Sequence, residues 1–154
     1  MADKDYAREW YNYGRATKDP IVKFMMHWIA FNWLYRECRQ DDEKTNIELY
    51  CDEHYDRLSR YNPFVTTDID AFDEGAIVDE RTSEKQEGLY NGIFSRNART
   101  RMRCLLLSIY QVRCNLFHGS KRLYLDRDKR LVESSANIME KYLGTVLEDD
   151  VLFF

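Results

Sequence analysis

The sequence contains little proline and little glycine, with only two prolines and six glycines among 154 residues. All-β sandwiches and barrels need many turns, and turns are rich in these two residues, so the composition argues against both folds. Aromatic residues make up 14% of the chain, which is more apolar surface than a disordered protein can leave in water. The length fits one domain. We therefore expect a single helical domain over residues 1–154.

Long hydrophobic runs, a secretory signal and closely spaced cysteine pairs are missing as well. The longest apolar run, Phe24 to Tyr35, is too short to span a bilayer and contains His27 and Asn32. The first ten residues are charged and lack the apolar segment of a signal peptide. The four cysteines have no CxxC spacing, which favours reduced thiols. These features predict a cytoplasmic protein without a membrane segment.

Hydrophobic periodicity and capping signals predict four to five helices, which makes the expected fold an all-α helical bundle. The expected helices cover about residues 5–17, 20–39, 43–61 and 98–117, and a last one begins at 126 or 128. Asp19 followed by Pro20 is a helix start signal, because the acid caps the helix and proline suits its first position. The clearest apolar seam recurs at alternating spacings of three and four residues, and it consists of Met102, Leu105, Ile109, Val112 and Leu116.

Residues 62–97 do not follow a helical pattern, and we expect an irregular acidic insert there. Between Asp68 and Glu87 the chain has eight acidic residues against Arg81 and Lys85. The order of acids and glycine is not that of a calcium-binding EF-hand loop, so a solvated surface is the better interpretation. A short helix or a hairpin is expected somewhere in this segment, at a position that the sequence does not specify.

The sequence predicts no metal site and no cofactor. Cys51 and His54 lie three residues apart on one predicted helix, but a metal needs three or four ligands and no complementary pair occurs elsewhere. His27 lies within the most apolar predicted helix, where a hydrogen-bonded core histidine is expected. The run from Asp41 to Glu43 is typical of a helix N-terminus, where the helix dipole stabilises acids.

Positive charge is concentrated in one place although the chain as a whole is acidic, with a net charge of −4 and a pI near 5.4. Four arginines and no acid lie between residues 96 and 103. Arginine suits bidentate contacts with phosphate, and cations are unfavourable at a helix N-terminus, so this run favours an anionic partner over a merely solvated surface. The residues expected to contact this anionic partner are Arg96, Arg99, Arg101 and Arg103, extended by Lys121 and Arg122.

The end of the predicted helix 98–117 concentrates polar side chains suited to phosphodiester chemistry. Arg113 can bind a phosphate and the charge that develops on it, and His118 can exchange a proton near neutral pH. On one helix the two side chains diverge by about 140°. Pairing with a second copy across a two-fold axis would bring two of each together in one composite site. The ordinary alternative is a surface or interface arginine and a histidine that caps the helix.

The segment from Arg113 to Lys121 resembles the R-x(4–6)-H signature of the HEPN superfamily, including the glycine that follows the histidine. Two further pieces, Asp19 to Phe24 and Trp28 to Tyr35, resemble an early helix of the stand-alone and Apea-like HEPN branches. The segment from Asp126 to Leu143 is similar to the closing helix of those proteins. The residues between 62 and 97 take no part in this resemblance.

The resemblance implies a helical bundle that forms a homodimer with the motif helices facing each other. It also implies a metal-independent ribonuclease that cuts single-stranded RNA to a 2′,3′-cyclic phosphate and a 5′-hydroxyl, as toxins and phage-defence effectors do. In this chain Arg113 would hold the scissile phosphate, His118 would be the general acid or base, and Asn115 would orient the site. The arginines from 96 to 103, with Lys121 and Arg122, would line the path of the RNA. A neighbouring antitoxin or sensor protein is a further implied partner.

Two alternatives stay open. Active members of the family commonly carry Asn, Asp or His directly after the arginine, whereas this chain has Cys114, and a thiol is a poor substitute as a hydrogen-bonding group. The chain is therefore also consistent with a catalytically inactive HEPN domain that binds RNA, a nucleotide or a protein. The other alternative is an unrelated helical interaction protein in which the motif occurs by accident.

Overall fold

Helices account for most of the computed structural model of this chain, which describes residues 3–118 and 126–148. These residues form eight α-helices and one two-stranded hairpin, so the predicted all-α class is confirmed. The five long helices are α1 (Asp3–Ala16), α2 (Pro20–Tyr35), α3 (Glu43–Glu53), α7 (Ala98–Phe117) and α8 (Asp126–Leu147). The three short ones are α4 (Tyr55–Leu58), α5 (Asp70–Asp73) and α6 (Glu87–Ile93).

Two of the predicted helices end earlier than expected. Helix α2 stops at Tyr35 and is followed by a 3₁₀ turn over Arg36–Cys38, after which Arg39 adopts a left-handed conformation with φ of 55°. Helix α3 stops at Glu53, because His54 (φ −111°, ψ 19°) leaves the helical region. The predictions of single helices over about 20–39 and 43–61 were therefore wrong at these points, and after the second break the chain continues as α4, which packs against α8.

The segment 62–97 is more regular than the sequence suggested. It contains 3₁₀ turns over Pro63–Val65 and Thr67–Ile69, the short helices α5 and α6, and a hairpin between them. The hairpin pairs β1 (Val78–Asp79) with β2 (Glu84–Lys85) in antiparallel register. The expectation of a short helix or hairpin is therefore confirmed, and both elements are present.

The core surrounds α2, which packs against α1, α3 and α8. Its aromatic side chains form a continuous cluster in which the Trp28 ring lies 5.5 Å from that of Phe31 and 6.1 Å from that of Tyr35. The predicted apolar seam of α7 is buried except for Leu116, which is half-buried. The sequence also predicts that one face of the last helix packs in the core, and this face of α8 is buried: Leu131, Ser135, Ile138, Tyr142 and Val146. A nearly uniformly apolar α2 is thus explained by neighbours on several sides.

The connection between α2 and α3 is fixed by one buried side chain. The Asn46 side-chain oxygen accepts a hydrogen bond from the Gln40 main-chain nitrogen at 2.8 Å, and its amide nitrogen donates to the Gln40 carbonyl at 3.0 Å. Asp42 caps α3 by accepting from the main-chain nitrogen of Thr45 at 3.2 Å. These bonds fix the start of α3 relative to the turn that follows α2, which matters for the sites described below.

His27 is a buried core histidine, as predicted from its position in the apolar helix. Its Nε2 atom lies 3.4 Å from the Glu140 carboxylate, and the Lys23 ammonium group lies 3.0 Å from the same oxygen. The hydrogen bond with His27 lowers the pKa of Glu140 to about 2, and Lys23 adds to the effect against the opposing influence of burial. This network ties α2 to α8.

The Glu140 network predicts a loss of stability in acid. Because folding depresses this pKa from 4.5 to about 2, the stabilisation is complete above pH 4.5 and is lost as the pH falls toward 2. Allowing for partial solvent screening, we expect Glu140→Gln to lower the free energy of unfolding by about 1–2 kcal/mol at pH 7. Urea unfolding between pH 7 and pH 3 measures both effects.

The matched control is Glu133→Gln, another half-buried glutamate of α8. This control should keep the wild-type dependence of stability on pH, whereas Glu140→Gln should flatten it. A Glu140→Gln protein that lost stability in acid as steeply as wild type would contradict the assigned role of the carboxylate.

Candidate functional site at the end of helix α7

Arg113 lies on α7 where this helix meets the first turn of α3. Its Nη1 atom is 3.7 Å from a carboxylate oxygen of Glu43, and the guanidinium carbon lies 4.6 Å from the centre of the Phe117 ring. The same Nη1 atom is 3.9 Å from the Cys114 sulfur. The side chain retains 27% of its exposure, so it is held in place and still accessible to a ligand.

Two tyrosines complete this group, which we call the Arg113 cluster: Tyr35, Glu43, Tyr110, Arg113 and Cys114. The Tyr35 hydroxyl is buried beside the Glu43 carboxylate. Burial raises the pKa of Tyr35, and the negative charge of Glu43 raises it further. Burial also raises the pKa of Tyr110, with a contribution from Cys114. Both phenols are therefore neutral at physiological pH and can donate hydrogen bonds.

His118 ends α7 and is exposed to solvent. Its main-chain nitrogen donates to the Cys114 carbonyl at 3.1 Å, so the residue forms the C-terminal cap of the helix. Phe117, directly before it, is 46% exposed. The structure thus brings Arg113 and His118 to the same end of α7, but the partners of the guanidinium are Glu43, Cys114 and Phe117 rather than the imidazole of the same chain.

Asn115 does not join the Arg113 cluster. Two residues along a helix correspond to a rotation of about 200°, so Asn115 lies on the opposite face of α7 from Arg113. Its buried side chain donates to the Val78 carbonyl at 2.7 Å and accepts from the Glu80 main-chain nitrogen at 3.1 Å. It also accepts from the Gln111 amide at 2.9 Å. In this arrangement Asn115 fastens the β1–β2 hairpin to α7.

The arginines predicted to contact RNA lie near the opposite end of α7. The Arg99 guanidinium stacks on Tyr55 at 4.2 Å and donates to the Asp52 carbonyl at 3.2 Å. Arg103 lies 4.0 Å from the Asp52 carboxylate. Ten residues separate Arg103 from Arg113, which is about 15 Å along the helix. The structure therefore does not place these arginines beside the Arg113 cluster.

Arg101 points to a different surface. Its guanidinium carbon lies 4.0 Å from the centre of the Phe64 ring, beside a cavity of about 130 Å³ lined also by Tyr55 and Tyr61. Arg96 precedes α7 and is exposed. Lys121 and Arg122 lie outside the described residues.

Helix α3 runs antiparallel to α7 and supplies acids along it. Glu43, at the start of α3, is beside Arg113, and Asp52, near its end, is beside Arg99 and Arg103. The unfavourable cations at the start of α7 are thus partly neutralised within the chain.

Sequence reasoning missed Glu43 because seventy residues separate it from Arg113. The sequence carries no local signal for this pair, and only the structure shows that the half-buried Arg113 side chain has an acidic partner.

Comparisons of the chain with protein-family models, with curated proteins and with solved structures find no match. Among the described residues, no helix is both long enough and apolar enough to cross a membrane. All four cysteines are free thiols. The function has therefore to be inferred from the chemistry of the chain's own residues.

Proposed function

We propose that this chain is a HEPN-like helical bundle that cleaves single-stranded RNA without a metal ion. Arg113 holds the scissile phosphate and His118 transfers the proton. The observation that carries the proposal is the end of α7, where a half-buried guanidinium and an exposed imidazole lie within one and a half turns. Both belong to the segment that resembles the HEPN signature.

The proposed reaction needs only a phosphate ligand and a proton carrier. The ribose 2′-oxygen attacks the adjacent phosphorus, the bond from phosphorus to the 5′-oxygen breaks, and a 2′,3′-cyclic phosphate forms. The imidazole of His118 accepts the 2′-proton or donates a proton to the leaving 5′-oxygen. The Arg113 guanidinium stabilises the negative charge that develops on the phosphoryl oxygens.

A homodimer fits this chemistry better than a single chain. Because the Arg113 and His118 side chains diverge by about 140° on one helix, one copy does not aim both at the same phosphate. Two copies related by a two-fold axis at the end of α7 would supply two guanidinium groups and two imidazoles. Phe117, 46% exposed between them, offers apolar contact surface for such an interface.

Substitutions of Arg113 test the proposal. Arg113→Ala is expected to weaken binding of a labelled single-stranded RNA and to lower the cleavage rate about 10²-fold. Arg113→Lys should recover only part of each, since lysine keeps the charge and loses the planar fork. Filter binding and gel-based cleavage assays at several salt concentrations measure both quantities, with Arg60→Ala as a control for an exposed arginine outside the cluster. Cleavage by Arg113→Ala at the wild-type rate would refute the assignment.

Glu43 is expected to compete with RNA for Arg113. Removing its charge in Glu43→Gln frees the guanidinium, so we expect RNA affinity to rise by about threefold to tenfold at low salt and by less at high salt. The measurement is the dissociation constant for the same RNA, with Glu9→Gln, an exposed glutamate of α1, as control. An equal gain in both variants would show a general charge effect, and a loss in Glu43→Gln would contradict the competition.

A catalytically inactive RNA-binding domain is the second candidate. Cys114 stands where active HEPN members carry Asn, Asp or His, and the Arg113 guanidinium is already paired with Glu43. Both observations favour binding without cleavage. RNA binding that depends on Arg113, with no cleavage by wild type, would support this candidate.

A further inference from the structure

Three potential metal ligands come together at the far end of α3. Glu37, in the 3₁₀ turn after α2, and Glu53 and His54, at the break between α3 and α4, each present one ligand atom, and these atoms all lie within 4.8 Å of one another. We propose that they bind a divalent transition-metal ion, with Zn²⁺ as the best fit. The site is independent of the proposed RNA chemistry, since Glu53 is ten residues from Glu43, about 15 Å along α3.

The geometry of His54 distinguishes this group from a simple cluster of surface acids. Its Nδ1 atom lies 3.2 Å from the Tyr50 carbonyl, and a carbonyl only accepts, so Nδ1 carries the proton. A hydrogen bond of this kind fixes the tautomer of most metal-binding histidines. The ring is also stacked on Tyr50, with centres 4.0 Å apart and planes at 18°. Its orientation is therefore set before any ligand binds.

The free nitrogen of His54 faces negative charge. The Nε2 atom lies 3.6 Å from a carboxylate oxygen of Glu37. With the proton on Nδ1, the Nε2 lone pair points toward the negatively charged Glu37 carboxylate, and a metal ion between the two would bind both.

Both protein segments that carry the ligands are held in place. The turn with Glu37 ends at Arg39, and the bonds of Asn46 with Gln40 fix this connection against α3. A bound ion would cross-link the end of α2 to the break after α3. We therefore expect it to stabilise the fold.

The ligand set selects the class of ion. One imidazole nitrogen and two carboxylates suit Zn²⁺ and related transition metals, whereas Mg²⁺ and Ca²⁺ prefer oxygen ligands alone. Three protein ligands leave a fourth position for water, and the 47% exposure of the Glu37 side chain gives solvent access. From the sequence, the candidate metal ligand nearest to His54 was Cys51, but the structure buries Cys51 in the core. The sequence did not indicate the two glutamates, because they come from separate segments.

Zinc titration of the full chain tests the site. After treatment with EDTA and its removal, isothermal titration calorimetry should show one Zn²⁺ ion bound by wild type, and Mg²⁺ should give no comparable signal. Glu37→Gln, which keeps the size of the side chain, should weaken Zn²⁺ binding at least about tenfold. His118→Ala, which removes an exposed histidine elsewhere, should bind as wild type does. Zn²⁺ should raise the thermal unfolding midpoint of wild type and His118→Ala only.

Nitrogen-15 NMR of the histidine rings distinguishes a metal ion bound to Nε2 of His54 from a proton on the same atom. Binding at this site shifts the Nε2 resonance of His54 on addition of Zn²⁺, while Nδ1 stays protonated. The proposal is overturned if wild type binds no Zn²⁺, if Glu37→Gln binds it equally well, or if His54 is doubly protonated at neutral pH and unchanged by Zn²⁺. Circular dichroism checks the fold of Glu37→Gln, and Glu53→Gln replaces it if the first variant is unfolded.

Discussion

The His118→Ala variant is expected to cleave single-stranded RNA about 10²–10⁴-fold more slowly than wild type, because it loses the group that transfers the proton. Its stability should change little. The imidazole is exposed, and the hydrogen bond that caps α7 comes from the main-chain nitrogen, which alanine retains. Loss of a favourable interaction with the helix dipole costs no more than about 0.3–1 kcal/mol.

The matched control for this variant is His54→Gln, which changes the other histidine that is not fully buried. In EDTA, which removes any metal ion bound by Glu37, Glu53 and His54, the His54→Gln variant should cleave RNA at the wild-type rate. Thermal unfolding of both variants shows whether a loss of activity reflects a loss of fold. Cleavage by a folded His118→Ala protein at an undiminished rate would remove His118 from the mechanism.

The Gly14→Ala variant is expected to lower the free energy of unfolding by about 1–3 kcal/mol, as overpacking of a core does. This is the reverse of the usual result, since alanine in place of glycine within a helix stabilises by about 1 kcal/mol. A Cβ atom at position 14 would lie 2.5 Å from Cε1 of His27 and 2.6 Å from its Nδ1. His27 is fully buried and bound to Glu140, so its ring has little freedom to withdraw.

Urea unfolding of Gly14→Ala beside Gly88→Ala measures this effect with an internal comparison. Gly88 lies in α6, and a Cβ atom there would meet nothing within 4 Å. We expect Gly88→Ala to be neutral or stabilising by up to about 1 kcal/mol. If both variants were stabilised alike, the close packing of α1 against His27 would be wrong.

The long helices were predictable because their signals are local. The Asp19–Pro20 start, the seam of α7 and the apolar face of α8 each lie within one continuous segment, and the structure confirms all three. The breaks at Tyr35 and His54 lie where the sequence has no proline or glycine, so no comparable local signal marks them. The hairpin strands have two residues each, too few to show an alternating pattern.

The site was predictable only in part, for the same physical reason. Sequence proximity placed Arg113 and His118 at one helix end, and the structure places them there. Partners from distant segments could not be predicted from the sequence. They are Glu43 beside Arg113, Asp52 beside Arg99, and the hairpin that is hydrogen-bonded to Asn115. The four arginines between residues 96 and 103 suggested a basic surface. In the fold, α3 lies antiparallel to α7 and places acidic residues beside Arg99, Arg103 and Arg113.

The most direct test of the central claim is the chemistry of the RNA ends. A labelled single-stranded RNA is incubated in EDTA with wild type and with His118→Ala, and the products are identified by mass spectrometry. Cleavage by wild type to 2′,3′-cyclic phosphate and 5′-hydroxyl ends, lost in His118→Ala, is the predicted result. RNA that stays intact with wild type although it binds, or products that end in a 3′-hydroxyl and a 5′-phosphate, would contradict the proposed ribonuclease.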